Sequence, residues 1–279
     1  MNQKIKLAIS TCPNDTFAFH ALLNKKVDCR GLDFQIQLLD ISQLNQGLMN
    51  GEYDVAKASF YAALILADRY CVLPSGSALG FGNGPLLLAT AENSLPNDEQ
   101  QLTLCPGKWT TANLLFRLFH RRTQVQHVVF SEIMPMLNHG EANFGVCIHE
   151  GRFTYLQSGL FLVEDLGKRW ESETKCPLPL GGILANKDLP AETLSHIQST
   201  ILDSITYGLN HREETIPTMR KYAQEFDDDV LMKHVELYVN QWTLDLGAEG
   251  REALSKLNEL AAKRELLNEA SKLAVWDNG

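Results

Sequence analysis

The fold class is indicated most directly by residues 32–50, Leu32-Asp-Phe-Gln-Ile-Gln-Leu-Leu39 followed by Asp40-Ile-Ser-Gln-Leu-Asn-Gln-Gly-Leu-Met-Asn50. Apolar and polar residues alternate along the first eight positions, which is typical of a β-strand with one buried face. From residue 40 onward the apolar residues recur at helical spacing and predict an amphipathic helix. A strand that leads directly into a helix is the repeating unit of α/β folds.

The same succession of strand and helix extends along the chain on both sides. Residues 4–10 predict a short buried strand, and the turn signal Pro13-Asn14-Asp15-Thr16 precedes a predicted helix at 17–24. Residues 53–59 predict a further strand, and residues 60–69 a further helix. Regular β and α alternation favours parallel strand pairing, so we expect an α/β fold with mostly parallel sheets.

Two lobes are expected, because 279 residues exceed the size of about 100–200 residues at which one core usually suffices. The glycine-rich run from Gly76 to Gly84 marks a crossing between lobes, and Gly181-Gly182-Ile-Leu-Ala185 marks the return. Between them, strands are predicted at 102–105, 127–130 and 144–148, with helices at 111–121 and 134–138. The expected lobes are therefore 1–90 with 186–279, whose carboxyl-terminal part is helical, and 91–185.

Composition and charge favour an enzyme or binding protein for a small molecule. The formal net charge of −9 argues against nucleic acid and an anionic membrane surface as partners. The six cysteines lack any C-x-x-C spacing, so no metal site is indicated. The amino terminus carries no signal-peptide pattern, which predicts a cytoplasmic protein. The oligomeric state stays open.

His149 is the candidate catalytic base, in Gly145-Val-Cys-Ile-His149-Glu150-Gly-Arg152. It ends an apolar strand pattern, and open α/β sheets bind ligands at the carboxyl ends of their strands. An ordinary imidazole pKa near ~6.5 suits proton transfer near neutrality. A structural histidine bonded to a backbone carbonyl is the alternative. Glu150 and Arg152 could orient the imidazole or form an ordinary surface ion pair.

Two strand-to-helix turns are candidate binding elements. Thr111 and Ala112 open a predicted helix, where free amide groups favour an anion, although capping by Thr110 or Thr111 explains the same residues. Lys57, Ala58 and Ser59 have the same placement in the other lobe, and a surface lysine is the alternative there.

Two further stretches remain ambiguous. Asn14 and Asp15 face the cleft or serve as helix caps. The run Gly80-Phe-Gly82-Asn-Gly84 precedes a strand and does not match G-x-G-x-x-G, so it predicts a hinge or cleft wall instead of a nucleotide site.

Seven segments in a fixed order resemble the 1,4-dihydroxy-6-naphthoate synthases of the futalosine route of menaquinone biosynthesis. The segments are Thr11-Cys-Pro-Asn-Asp-Thr-Phe17, Lys57-Ala-Ser59, Ser75-Gly-Ser-Ala-Leu-Gly80, Gly84-Pro-Leu-Leu, Pro106-Gly-Lys-Trp-Thr-Thr-Ala112, Ile148-His-Glu-Gly-Arg-Phe-Thr-Tyr155 and Pro177-Leu-Pro-Leu-Gly181. The resemblance runs from about residue 6 to residue 246.

The resemblance implies a two-lobe fold similar to type 2 periplasmic binding proteins, with the active site in the cleft. It implies cleavage of cyclic dehypoxanthine futalosine to 1,4-dihydroxy-6-naphthoate without a metal or organic cofactor. His149 would then be the proton acceptor. Lys57, Ala58, Ser59, Thr111 and Ala112 would line the substrate site, with Ser75 and Gly84 as further cleft residues. Two alternatives stay open, a chorismate dehydratase of the same route and a non-catalytic protein that binds a small anion.

Overall fold

The computed structural model describes residues 3–148, 151–223, 227–267 and 271–277, which form two sheets with helices packed against them. The strands are β1 (Gln3–Ser10), β2 (Leu32–Leu39), β3 (Val55–Ser59), β4 (Tyr70–Val72), β5 (Ala78–Gly80), β6 (Leu86–Ala89), β7 (Leu102–Cys105), β8 (Gln124–His127), β9 (Phe144–Cys147), β10 (Phe161–Asp165) and β11 (Leu178–Asn186). The helices are α1 (Pro13–Ala18), α2 (His20–Leu23), α3 (Ile41–Asn50), α4 (Phe60–Ile65), α5 (Thr111–Phe119), α6 (Ile133–Asn138), α7 (Gly151–Thr154), α8 (Leu166–Thr174), α9 (Ala191–Asn210), α10 (Arg212–Tyr222), α11 (Asp228–Tyr238), α12 (Gln241–Leu244) and α13 (Gly247–Lys263).

The strand and helix predicted from residues 32–50 form where the sequence places them. Asp40 begins α3 as its N-cap, accepting the amide hydrogen of Ser42, and the side chain of Gln43 accepts from the Asp40 amide in return. Gly51 ends the helix in the left-handed conformation, which glycine adopts without a steric penalty. Local sequence signals therefore determine both ends of this helix.

Each sheet contains three neighbouring parallel strands, which lie at one side of the sheet. In the first sheet the order is β2-β1-β3-β11-β4, with β5 on β11, and β1 is parallel to both β2 and β3. In the second the order is β10-β6-β9-β7-β8, and β7 is parallel to both β8 and β9. Ser10 at the end of β1, Ser59 at the end of β3, Thr110 after β7 and Ile148 after β9 all face the space between the two sheets.

The expectation of mostly parallel sheets needs correction, because both sheets are mixed. Strand β11 is antiparallel to β3, β4 and β5, and β6 is antiparallel to β9 and β10. These are the two strands by which the chain enters a sheet after crossing from the other one. Such a strand starts at the edge where the parallel strands end, and it must run in the opposite direction.

Sheet membership divides the chain at different places from the predicted lobe boundaries. Residues 86–89 belong to the second sheet and residues 178–186 to the first, whereas the sequence analysis divided the chain at 90/91 and 185/186. The lobes as separate units stay a prediction. The prediction of a strand at 127–130 was wrong. Strand β8 ends at His127, and residues 130–132 form a 3₁₀ turn. As an edge strand, β8 exposes most of its side chains, so it lacks a clear apolar pattern.

The carboxyl-terminal part of the described chain is mainly helical, as predicted. Its helix α9 packs against the first sheet. Ile197, Ile201 and Ile205 of α9 form one apolar stripe, buried in the same cluster as Ile5 and Leu7 of β1. Within the described residues, no helix has the length and apolar character needed to cross a membrane.

Candidate functional site

A pocket opens between the two sheets, at the edge where the parallel strands end. Ser10 ends β1, Ser59 ends β3 and Ile148 directly follows β9. The full lining is Ser10, Cys12, Asn14, Asp15, Ile41, Lys57, Ser59, Ala78, Asn83, Gly84, Pro85, Thr110, Thr111, Ala112, Ile148, Leu180, Gly181, His234 and Tyr238. This is the position at which open α/β sheets bind their ligands.

A buried ion pair forms one wall of the pocket. The Lys57 Nζ lies 2.8 Å from Oδ1 of Asp15, and it donates a second hydrogen bond to the Gly76 carbonyl at 3.0 Å. Only 6% and 3% of the two side chains are exposed, which rules out a surface lysine at position 57. Because Asp15 compensates its charge, Lys57 is a poor partner for a second carboxylate.

Asp15 faces the pocket and does not cap helix α1. The N-cap of α1 is Cys12, and among the described residues the helix has no side-chain capping hydrogen bond. The Asp15 carboxylate instead accepts from the Ser10 hydroxyl at 2.6 Å and from the Asn14 amide at 2.9 Å, in addition to its pairing with Lys57. The ambiguity between cap and cleft is thus resolved in favour of the cleft for Asp15.

His234 lines the pocket and contacts Asn14, although it was not among the predicted site residues. Its Nε2 lies 3.1 Å from Oδ1 of Asn14, whose Nδ2 already donates to Asp15. Since Oδ1 can only accept, Nε2 of His234 must carry the hydrogen, which in a neutral ring leaves Nδ1 as the acceptor. Only 1% of His234 is exposed, and its ring lies 4.5 Å from that of Tyr238. The available signal was the i, i+4 spacing of His234 and Tyr238 on one helix.

Ser59 is held by a buried asparagine that the sequence analysis also missed. Asn45 Nδ2 donates to the Ser59 hydroxyl at 3.0 Å, and Asn45 Oδ1 accepts from the Ser59 amide at 3.0 Å. The hydroxyl oxygen therefore accepts from Asn45, and its own hydrogen can be donated into the pocket. Ala58 is fully buried in the core, because successive side chains of a strand point to opposite faces.

The amino terminus of α5 borders the pocket from the second sheet. Thr110 is the N-cap, and its hydroxyl accepts from the Asn113 amide at 3.2 Å. The Thr111 hydroxyl donates to the Leu180 carbonyl at 2.7 Å and accepts from the Tyr61 amide at 3.3 Å. Thr111 thus links α5 to the first sheet. The amides of Thr111 and Ala112 belong to the first helical turn, which provides no acceptor for them within the helix.

The remaining predicted residues have different positions. Ser75 lies outside the pocket lining, where its hydroxyl donates to the Leu244 carbonyl at 2.6 Å and accepts from Gln198 at 2.6 Å. Gly84 lines the pocket, and a Cβ there would lie 2.3 Å from the Gly167 Cα, so only glycine permits this close approach. His149 and Glu150 lie outside the described residues.

Arg152 holds the connection between the two sheets. Its guanidinium donates to the carbonyls of Gly82, at 2.8 Å, and of Gly84, and it lies 3.5 Å from the Asp165 carboxylate. Gly84, two positions after Gly82, lines the pocket. Arg152 is therefore no surface ion pair, since only 12% of its side chain is exposed.

Comparison with known proteins identifies the family. A family model described as menaquinone biosynthesis matches residues 5–263. The chain belongs to this family. It is 39% identical to the 1,4-dihydroxy-6-naphthoate synthase of Thermus thermophilus over 264 residues, which cover 95% of this chain and 96% of that one. It is 36% identical to the enzyme of the same name from Streptomyces coelicolor over 271 residues, covering 94% of each.

Solved structures show which other proteins share the fold of this member of the menaquinone biosynthesis family. A protein of Archaeoglobus fulgidus has a TM-score of 0.90 at 32% identity, covering 95% of this chain and 98% of that one. The alkanesulfonate-binding protein of Xanthomonas axonopodis has a TM-score of 0.74 at 12% identity, covering 98% of both. A Candida albicans protein with the generic periplasmic-binding-protein fold has a TM-score of 0.63 at 13% identity, covering 99% and 98%. The predicted periplasmic-binding-protein-like fold is confirmed.

In this member of the menaquinone biosynthesis family, the two buried cysteines of the second sheet, Cys147 and Cys105, are poor nucleophiles. Burial raises the pKa of the Cys147 thiol to about 12, so the group stays protonated near neutrality. Cys105 is likewise buried, and its pKa is raised for the same reason. Neither of these two cysteines lines the pocket, where the polar groups are the Cys12 thiol, hydroxyls, amides, the imidazole of His234 and the Lys57–Asp15 pair.

Proposed function

We propose that this chain is a 1,4-dihydroxy-6-naphthoate synthase, a carbon–carbon lyase that converts cyclic dehypoxanthine futalosine to 1,4-dihydroxy-6-naphthoate in the cytoplasm. The observation that carries the proposal is similarity over 94–95% of the chain to two relatives with that name. The pocket between the sheets supports it, because it combines a few polar groups with an apolar wall that suits a small aromatic acid.

His149 is the proposed general base. Its sequence position supports the role, since it directly follows Ile148, which lines the pocket at the end of β9. Removal of a proton would start the ring opening, and formation of the aromatic product favours completion. A positioned base contributes typically about 10²–10⁴-fold in rate. The proposal includes no metal or organic cofactor.

The substrate carboxylate is proposed to bind the amides of Thr111 and Ala112. The amino terminus of a helix carries a partial positive charge, and its first amides lack partners within the helix. Lys57 is the less suitable partner because Asp15 already neutralises it. Lys57 would form part of the wall, and Ala58 would support that wall from the core behind it, while Ser59 would donate its hydroxyl hydrogen to a substrate oxygen.

The decisive experiment incubates the purified protein with cyclic dehypoxanthine futalosine and detects the naphthoate by chromatography and mass spectrometry. Chorismate serves as the second substrate, because a chorismate dehydratase would form 3-enolpyruvoylbenzoate. His149→Ala tests the base, and His139→Ala is the matched control, since 73% of the His139 side chain is exposed and it lies outside the pocket.

We expect naphthoate from the wild-type protein and from His139→Ala, and a loss of about 10²-fold or more in kcat for His149→Ala. Absence of product from either substrate would instead favour a protein that only binds a small anion. Turnover of chorismate would assign the other enzyme of the route. Full activity of His149→Ala would remove the base assignment and leave the reaction itself intact.

A further inference from the structure

A second cavity of about 540 Å³ lies along the edge strand of the second sheet, away from the substrate pocket. It is bounded by α5, by alternate residues of β8 and by residues 264–266, which follow α13. We call it the β8 groove and define it by Arg117, Arg121, His127, Arg264 and Glu265. None of these residues lines the substrate pocket. The volume lies within the range of about 300–1,000 Å³ typical of small-molecule sites.

The β8 groove concentrates positive charge in a chain whose net charge is −9. Three guanidinium groups line it, and within the described ranges none of the three has a carboxylate at ion-pair distance. Arg121 donates to the backbone carbonyl of Arg264 at 2.7 Å, which orients the Arg121 guanidinium without neutralising its charge. By contrast, six arginines outside the groove form described ion pairs with a carboxylate, as Arg169 does with Glu164 at 3.3 Å.

His127 lies in the groove with a lowered pKa. Burial lowers its pKa, and repulsion from Arg117 and Lys108 lowers it further. The other charged groups that line the groove are Arg121, Arg264 and Glu265. His120 also faces it, and its Nε2 lies 2.6 Å from Glu164, so this second imidazole has its own counter-charge. A bound anion would supply the missing compensation for His127.

We propose that the β8 groove is a binding site for a diphosphate group, either free or as part of a larger metabolite. A guanidinium presents its N–H donors in a planar fork that matches two oxygens of a phosphate. Three such forks exceed what a single carboxylate can accept, and they suit a ligand that carries several negative charges. Thr123, which directly precedes β8, adds a hydroxyl to the lining, and its oxygen lies 3.1 Å from the Thr103 hydroxyl oxygen.

The test measures diphosphate binding to the full chain by isothermal titration calorimetry at constant ionic strength, with monophosphate as the comparison ligand. The variants are Arg117→Gln and Arg121→Gln, and Arg251→Gln is the matched control. Arg251→Gln also removes one positive charge, but Arg251 forms a surface ion pair with Asp277 and lies outside the groove. Nuclear magnetic resonance follows the His127 ring protons as a function of pH, with and without diphosphate.

We expect one diphosphate per chain, about tenfold or more weaker binding for each groove variant, and unchanged binding for Arg251→Gln. We also expect diphosphate to raise the pKa of His127, so that binding strengthens as pH falls through that pKa. No binding at millimolar diphosphate would overturn the proposal. Equal weakening by Arg251→Gln, or equal affinity for monophosphate, would overturn it too, because either result indicates attraction by general charge alone.

Discussion

The Lys57 ammonium lies 2.8 Å from the Asp15 carboxylate, and both side chains are almost fully buried beside the pocket. The two residues are 42 positions apart: Lys57 lies in β3, and Asp15 lies in α1, the helix that follows β1, the parallel neighbour of β3. The pair places opposite charges in the site without adding net charge. Its role in stability can be separated from any role in binding.

Removing one member of this pair should destabilise the fold strongly. Lys57→Met leaves the Asp15 charge buried without its cation, and we expect a loss of about 3–5 kcal/mol in the free energy of unfolding. Lys57→Met combined with Asp15→Asn should lose less than the sum of the single variants, because no buried charge remains. Urea unfolding gives these values, with Arg220→Met as the control. Arg220 forms an exposed ion pair with Asp228, so its substitution should lower the free energy of unfolding by less than about 1 kcal/mol. Additive losses would contradict the pairing.

The hydrogen bond from His234 to Asn14 should affect catalysis. His234→Ala removes it, and we expect a decrease in kcat/KM of about tenfold or more. His234→Gln should recover much of the activity, since a glutamine Nε2 can donate to the same oxygen. Steady-state kinetics of the two variants across a range of pH provide the measurement. Equal loss in both variants would show that the imidazole itself, instead of its bond to Asn14, is required.

The Thr111 hydroxyl should contribute mainly to stability. Thr111→Val leaves the Leu180 carbonyl and the Tyr61 amide without their partner, and we expect a cost of about 1–3 kcal/mol. Thr111→Ser keeps the hydroxyl and should cost less. The backbone amides are preserved in both, so KM should change little if they bind the substrate. A large rise in KM for Thr111→Val alone would assign the hydroxyl to substrate binding.

Arg152 should hold in place the loop of residues 81–85, which connects the two sheets. Arg152→Gln removes the bonds to the carbonyls of Gly82 and Gly84, and we expect kcat/KM to fall about tenfold. Cleavage by chymotrypsin at Phe81, which is 49% exposed, should become faster. Arg169→Gln is the control, because it alters a neighbouring charge outside this loop. Unchanged cleavage and unchanged kinetics in Arg152→Gln would contradict the holding role.

Stability should fall in mild acid because of His20. Burial lowers the pKa of this imidazole, so the folded chain binds its proton less readily than the unfolded chain. The contribution of neutral His20 is present above the unfolded pKa of about 6.5 and is lost as pH falls below it. Thermal unfolding between pH 8 and pH 5 should show a smaller decrease for His20→Gln than for the wild type. The same slope in both would exclude His20 as the cause.

The sequence by itself determined the β-α units, the approximate positions where strands end, and the family. Periodicity and capping signals are local, and they specify which face of an element is buried and where it stops. Residues 32–50 show this, since alternation, the Asp40 cap and Gly51 determine a strand and a helix without help from distant parts. Lys57, Ser59, Thr111 and Ala112 were expected near one cleft because parallel strands end at a common edge.

Only the tertiary structure decided which side chains meet. Three contacts in the site follow from no periodic pattern in the sequence. They are the ion pair of Lys57 with Asp15, the hydrogen bonds of Asn45 to Ser59, and the contact of His234 with Asn14 across 220 positions. They depend on how the elements pack. The antiparallel direction of β6 and β11 has the same origin, because it follows from the side at which the chain enters each sheet. Local patterns encode burial, whereas pairing partners and strand direction are set by the assembled sheets.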